Sequence, residues 1–292
     1  MIQIQCPAKV NLFLEVTGRR KDGYHTLATL FAKIALFDVL DFELQPRFEL
    51  EVVSETGQEV PAGKDNLVLK AAEAFAREFR PGAGARIKLT KRIPMGAGLG
   101  GGSSDAAGTL LGLVRLYRME RNVLPVLRKL AVKLGADVPV FLHKAPFSEG
   151  RGIGERLKGV PVAKSPPDIL LIYPGVPVST KDVFGGFQLP GRPAILTRLS
   201  QLDKLKKKLE KGKPISEWEG LLFNRLEAGV LNGHPEVLQA KRILERLGAR
   251  GVMMSGSGSS VFGFVSSWAE GEQALKRLKV YPWKSFQACF LG

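Results

Sequence analysis

The sequence predicts an α+β chain, in which strand-like and helix-like segments interleave along 292 residues. Two observations carry this prediction. Short apolar or alternating runs recur with the two-residue period of strands, while longer stretches place apolar residues at helical spacing. A third fixes one local order: an alternating segment passes through a glycine-rich loop directly into a helical pattern. No tandem repeat is present.

Strand signals open the chain at residues 2–5 and 10–16, and a long apolar run at 27–44 predicts further strand. Residues 66–79 are apolar at helical spacing, 86–90 alternate as a strand, and the glycine segment then leads into a helix over 104–117. A further helix over 123–134 ends at Gly135, a residue suited to a helix C-terminus. Residues 147–157 are polar and glycine-rich and read as a hinge or boundary. Beyond them come a strand at 169–173, helices at 199–209 and 235–247, and strands at 251–254 and 261–265 around a second glycine loop.

With 45% hydrophobic and 24% charged residues, the chain has enough apolar surface to bury a sizeable core in one large domain or two small ones. The opening residues lack a basic stretch followed by a long apolar run, and no later run approaches a membrane span, so a cytoplasmic protein without a membrane partner is expected. Cys6 and Cys289 match no metal-ligand spacing and are expected to be packing residues. The 43 basic and 28 acidic residues leave a net charge of +15, which raises a nucleic-acid partner as a possibility. The densest basic stretch, 198–213, has no aromatic residue to stack on a base. Its leucines at 199, 202, 205 and 209 instead follow helical spacing, so its lysines form the wet face of an amphipathic helix and no nucleic-acid partner is expected.

The chemistry concentrates in the segment Pro94, Met95, Gly96, Ala97, Gly98, Leu99, Gly100, Gly101, Gly102, Ser103 and Ser104. Its glycines let backbone amides approach a ligand closely, and the following helix offers free amides and the positive end of its dipole. A triphosphate suits that arrangement. The segment lacks the Gly-Lys-Ser/Thr ending of a P-loop and the context of a dinucleotide fingerprint. The bland alternative is a surface loop before an ordinary helix, capped by Ser103 with Asp105 in its first turn. Ser104 and Asp105 are also candidates for Mg2+, since a hard cation wants oxygen donors.

Three segments, Pro7-Ala-Lys-Val-Asn-Leu12, 94–107 and Ser255-Gly-Ser-Gly-Ser-Ser260, together resemble the GHMP kinases, named after galactose, homoserine, mevalonate and phosphomevalonate. Within that family Asp22-Gly-Tyr-His-Thr-Leu27, Asp65-Asn-Leu67 and Gly135-Ala-Asp-Val-Pro-Val-Phe141 resemble members acting on a cytidine-diphosphate-linked methylerythritol. The resemblance implies a two-domain architecture: an ATP-binding domain over 1–155, of the ribosomal protein S5 domain 2-like type, and an α/β sandwich-like domain over 156–292. It implies ATP and Mg2+ as cofactors and transfer of phosphate to the 2-hydroxyl of that small-molecule alcohol; a relative acting on homoserine or mevalonate is the rival.

The resemblance also assigns residues. Asp137 matches the family's catalytic carboxylate and Lys9 the lysine that orients the nucleophile, although alone Asp137 reads as a cap or turn residue and Lys9 as an exposed strand-start lysine. Asn11, Tyr24, His25, Thr180 and Phe184 match substrate-binding positions, with Tyr24 and Phe184 as stacking rings and His25 as a hydrogen-bonding partner of the base. Asn66 and Lys91 resemble residues near the nucleotide base and phosphates, but equally suit a helix cap and a solvent-facing charge. His143 and His234 lie in polar turns with no implied chemistry, and the sequence carries no signal for an oligomeric state.

Overall fold

The computed structural model describes residues 1–119 and 121–292. They form two compact units, one of Met1–Ala8, Leu36–Met95 and Gly100–Lys144, the other of Lys9–Ala35, Gly96–Leu99 and Ala145–Gly292. The first strands, β1 (Ile2–Arg19) and β2 (His25–Leu44), each contribute residues to both.

The remaining elements of the first unit are β3 (Glu49–Ser54), α1 (Leu67–Phe79), β4 (Ala85–Lys91), α2 (Gly101–Leu116), α3 (Leu124–Leu134) and α4 (Val138–Leu142). Strand β4 runs antiparallel to residues 39–44 of β2 and parallel to β3. Its alternation buries Ala85, Ile87, Leu89 and Lys91 on one face, as a half-buried strand demands. Helix α1 buries Val68, Ala71, Ala72 and Phe75, and α2 buries Gly101 and every residue from 104 to 110. Two glycines let α2 lie close to its neighbours: a Cβ at Gly108 would stand 2.3 Å from Cys6 Sγ, and one at Gly112 2.4 Å from the Phe42 ring. Cys6 is thus a buried packing residue with a free thiol, whereas Cys289, expected to pack likewise, is exposed.

In the second unit residues 29–32 of β2 pair antiparallel with β5 (Phe147–Arg151), which pairs with β6 (Arg156–Gly159). Then follow β7 (Ile169–Tyr173), α5 (Thr180–Gly185), α6 (Arg192–Glu210), β8 (Phe223–Asn224), α7 (Glu227–Gly233), α8 (Pro235–Arg246), β9 (Arg250–Met254), β10 (Val261–Phe264), α9 (Trp268–Leu278) and β11 (Lys284–Ala288). Strand β8 runs parallel to β1 at Phe13 and Leu14. A separate antiparallel sheet has the order β11-β7-β10-β9. Leu170, Ile172 and Val261 of that sheet share a core with Val237, Ala240 and Leu244 of α8 and Ala274 and Leu278 of α9.

Several sequence expectations need correction. The two opening strands are one, because Pro7 removes a backbone donor but not the extended conformation. The polar stretch 147–157 is the β5–β6 hairpin rather than a hinge; its glycines at 152 and 154 take positive φ in the turn. Helix α2 starts at Gly101, three residues early, so Ser103 and Ser104 lie inside its first turn and Ser103 is not the cap. The strands β3 and β11 and the helices α5, α7 and α9 are additional to those the sequence predicts, being short or mixed in polarity. No helix among the described residues is long and apolar enough to cross a membrane.

Candidate active site

In the first unit the glycine-rich segment emerges from a buried charge cluster. Asp38, fully buried in β2, accepts hydrogen bonds at Oδ1 from the amides of Arg92 (2.5 Å) and Ile93 (2.8 Å) and pairs at Oδ2 with Lys91 Nζ. Lys91 also pairs with Asp105 Oδ2 at 2.8 Å, linking the end of β4 to the first turns of α2. Lys91 is only 2% exposed, so the solvent-facing alternative is wrong. Burial pulls its pKa down, but Asp105 and Asp38 outweigh burial and raise it. Asp105 is raised to about 7, chiefly by burial, with Lys91 opposing and Asp38 adding to the shift. One ammonium between two buried carboxylates leaves one negative charge too many, and a proton on Asp105 removes it.

Beyond the cluster, Gln58 clasps Met95 by accepting from its amide (2.8 Å) and donating to its carbonyl (3.3 Å). Gly100 is the N-cap of α2 in the left-handed region at φ 73°, and makes no side-chain cap. The first-turn amides, from Gly101 onward, therefore lack a side-chain cap, and an anion placed before them would face the positive end of the helix dipole. Ser104 Oγ and Asp105 Oδ1 are buried there without hydrogen-bond partners. Asn66 caps α1, accepting from Val68 N at 2.9 Å while its Nδ2 donates to Pro61 O at 2.7 Å. Asp137 stands at the N-terminal boundary of α4, half-buried, and does not cap that helix with its side chain.

The second unit gathers the other two motifs. Lys9, expected alone to be exposed, is 3% exposed. Its Nζ donates to Asn11 Oδ1 (2.8 Å) and Gly98 O (2.9 Å) and lies 5.7 Å from the centroid of Phe31. Asn11 in turn donates to Thr29 Oγ1 at 2.8 Å. Residues Gly96–Leu99 of the loop are held by backbone bonds: Lys9 N to Leu99 O, Ser260 N to Ala97 O and Val178 N to Gly96 O. Gly98, at φ 73°, lets the third glycine motif approach, since a Cβ there would be 2.1 Å from Ser255 O.

Tyr24 is exposed, while His25 stacks on Phe184 at a centroid separation of 5.3 Å and meets the edge of Phe187 at 6.0 Å. Burial, with Arg19 nearby, lowers the His25 pKa, so the ring is neutral at pH 7. Thr180 Oγ1 shares a 2.8 Å hydrogen bond with Ser257 Oγ of the third motif.

Residues 66–145 match the family model described as the N-terminal domain of GHMP kinases, and residues 202–282 match that of the GHMP kinases C-terminal domain. The chain is 41% identical over 281 residues to 4-diphosphocytidyl-2-C-methyl-D-erythritol kinase of Shewanella baltica, covering 94% of this chain and 88% of that one. The protein of that name from Prosthecochloris aestuarii is 37% identical over 277 residues, covering 95% and 93%. The chain belongs to the GHMP kinases. Its two-domain kinase fold is that of a solved 4-(cytidine 5'-diphospho)-2C-methyl-D-erythritol kinase, with a TM-score of 0.79, 36% identity and complete coverage of both chains. A homoserine kinase from Cytophaga hutchinsonii, at 19% identity and a TM-score of 0.77 over 99% of this chain and 94% of that one, shares the fold.

In this GHMP kinase residues 9–11, 96–99 and 255–260 of the sequence motifs hold one another within the second unit, whereas Asp38, Gln58 and Thr29 lie outside every motif of the sequence. Asp38 carried a signal: an acid in the middle of the apolar run 27–44 needs a buried partner. For a divalent cation, Ser104 Oγ fits as an oxygen donor because it is buried and unpaired. Asp105 fits less well, since its other oxygen is engaged by the Lys91 ammonium, which repels a cation. Among the described residues no three or more His, Cys, Asp or Glu side chains cluster to hold a metal.

Proposed function

We propose that this GHMP kinase transfers the terminal phosphoryl group of ATP to the 2-hydroxyl of 4-diphosphocytidyl-2-C-methyl-D-erythritol, a step in the non-mevalonate route to isoprenoid precursors. The observation that carries the choice of alcohol is the aromatic group in the second unit: the neutral ring of His25, braced by Phe184 and Phe187 next to exposed Tyr24, suits a pyrimidine that needs stacking and an edge hydrogen bond. Relatives 37–41% identical along most of the chain carry the name of that kinase, which supports the same reading.

The amides at the start of α2 would cradle the ATP phosphates, with Gly96 to Gly102 giving the backbone access and Ser103 and Ser104 their hydroxyls. Mg2+ would neutralise charge on the phosphates, with Ser104 the residue best placed to contact it. Lys91 supports the loop from behind and does not offer the phosphates its charge, because its ammonium is engaged by two carboxylates. Asn66 caps α1 with Oδ1 and donates Nδ2 to Pro61 O, and its backbone N–H and C=O are also bonded, so a base contact there would use the second Nδ2 hydrogen. Asp137 would accept the hydroxyl proton while Lys9 orients the attacking oxygen and favours the ionised carboxylate. That pairing rests on the family motifs. Asn11 holds Lys9, and Thr180 serves the alcohol alongside Ser257. The reading divides the chain into an ATP-binding domain over 1–155 and a companion over 156–292, and sets the enzyme in the cytoplasm.

ADP release measured with the cytidylated alcohol, homoserine and mevalonate in turn tests it. Turnover is expected with the first alone; turnover of either other alcohol and not the first overturns the substrate. Asp137→Ala and Lys9→Ala should each lower kcat by about 100-fold or more, with the KM for ATP within about threefold of its original value. Unchanged turnover in Asp137→Ala removes it as the base.

A further inference from the structure

Within the second unit a chain of hydrogen bonds connects Asn224, a residue outside every motif, to the ammonium of Lys9. Asn224 occupies the two-residue strand β8 and is 6% exposed. Its Nδ2 donates to the carbonyls of Met254 and Gly256, each at 2.8 Å, and its Oδ1 accepts from Leu226 N at 3.0 Å. The two carbonyls flank Ser255, at the entry to the third glycine motif. Ser255 Oγ donates at 3.0 Å to Gly98 O, the same carbonyl that accepts from Lys9 Nζ. Gly256 is equally close to the reacting machinery: a Cβ there would stand 3.2 Å from Lys9 Nζ, Asn11 Oδ1 and Gly98 O.

The other end of this chain is anchored to the strand that bears Lys9. Residues Phe223 and Asn224 pair with Phe13 and Leu14 of β1, and Arg225 N donates to Leu14 O at 2.8 Å. The Arg225 guanidinium then grips fully buried Glu15 through two bonds of 2.9 and 2.7 Å. A bidentate ion pair of this geometry fixes β8 more firmly than two backbone contacts alone. The amide of Asn224 is therefore a fixed strut, and the Met254–Gly256 turn hangs from it. Buried carbonyls that lose a donor regain one only by moving, so loss of the amide shifts the turn and with it Gly98 and Lys9.

We propose that Asn224 is a positioning residue for phosphoryl transfer, acting through the Met254–Gly256 turn and the Gly98 carbonyl to hold the Lys9 ammonium in place. The proposal rests on the kinase reading above. It separates from a purely local role, capping the turn at Leu226, because the two roles use opposite ends of the amide. Asn224→Asp keeps the size and the acceptor for Leu226 N but removes both donors; Asn224→Ala removes everything.

Both variants should lower kcat by about tenfold or more with the KM for ATP and for the alcohol nearly unchanged, since a small displacement of a catalytic group acts on the transition state. In the Lys9→Ala background neither should cause a further loss, because the group it positions is gone. Full kcat in Asn224→Asp, or losses that multiply with that of Lys9→Ala, overturns the proposal. A second measurement does not depend on turnover. In protein carrying 13Cε-labelled lysine, the Lys9 signal, identified by its disappearance in Lys9→Ala, should shift in Asn224→Asp. An unmoved signal overturns the role of Asn224. Failure of the wild-type protein to phosphorylate the alcohol, with the signal moved, overturns the substrate reading and leaves the coupling of Asn224 to Lys9 standing.

Discussion

Asp105 is the residue whose chemistry is most at odds with its place in the sequence, where it reads as a first-turn acid of a helix. It is 2% exposed beside Lys91 and Asp38, and burial is the main reason its pKa rises to about 7. An unfolded aspartate releases its proton near pH 4. Between about pH 4 and 7 the folded protein holds a proton that the unfolded chain has released, so stability falls as pH rises through that window. Asp105→Asn removes this titration while leaving Lys91 paired with Asp38. Urea unfolding at pH 5 and pH 7.5 should show the wild-type protein losing stability, on the order of a few kcal/mol, where the variant changes far less. Equal losses in both proteins would assign the pH dependence elsewhere.

The glycine loop is held as an element because its backbone touches the third glycine motif without side chains between them. Gly98 is the tightest point, with positive φ and a would-be Cβ 2.1 Å from Ser255 O and 2.9 Å from Gly258 O. Gly102, inside the first turn of α2, would meet only Leu67 Cδ1 at 3.6 Å, an ordinary contact. The two glycines should respond in opposite senses to alanine. Gly98→Ala should cost about 1–3 kcal/mol of stability through backbone strain and a clash with the carbonyls. Gly102→Ala should raise stability by up to about 1 kcal/mol through helix propensity. Thermal melts in the absence of nucleotide test this; an equally stable Gly98→Ala would mean that the loop and the third motif separate easily.

At the scale of the whole molecule the dominant quantity is the net charge of +15. The basic helix α6 buries Leu202, Leu205 and Leu209 and turns its lysines outward, where Lys206 pairs with Glu149 and Asp203 and Lys208 with Glu217. Those pairs offset part of its charge and favour the solvated-face reading of the basic stretch. The remaining positive field attracts an anionic nucleotide, and salt screens it. Raising KCl from about 50 to 500 mM at constant free Mg2+ should therefore raise the KM for ATP by about threefold or more, with a smaller effect on kcat. A KM that ignores salt would confine nucleotide attraction to the loop itself.

The sequence by itself determined the mixed α and β composition, the strand–loop–helix order around the glycine segment, and the three motifs that mark a GHMP kinase. These are local properties: periodicity, glycine conformational freedom and helix-end polarity act within a few residues of chain. The tertiary structure decided the partners. Lys91 meets Asp38 across 53 residues, Lys9 meets the Gly98 carbonyl across 89, and Arg225 meets Glu15 across 210. A buried charge must find an opposite charge or a carbonyl wherever the fold brings one, and no local pattern names it. That is why Lys9 and Lys91, alike as surface lysines in the sequence, are both buried, one held by an amide and a carbonyl and the other locked between carboxylates.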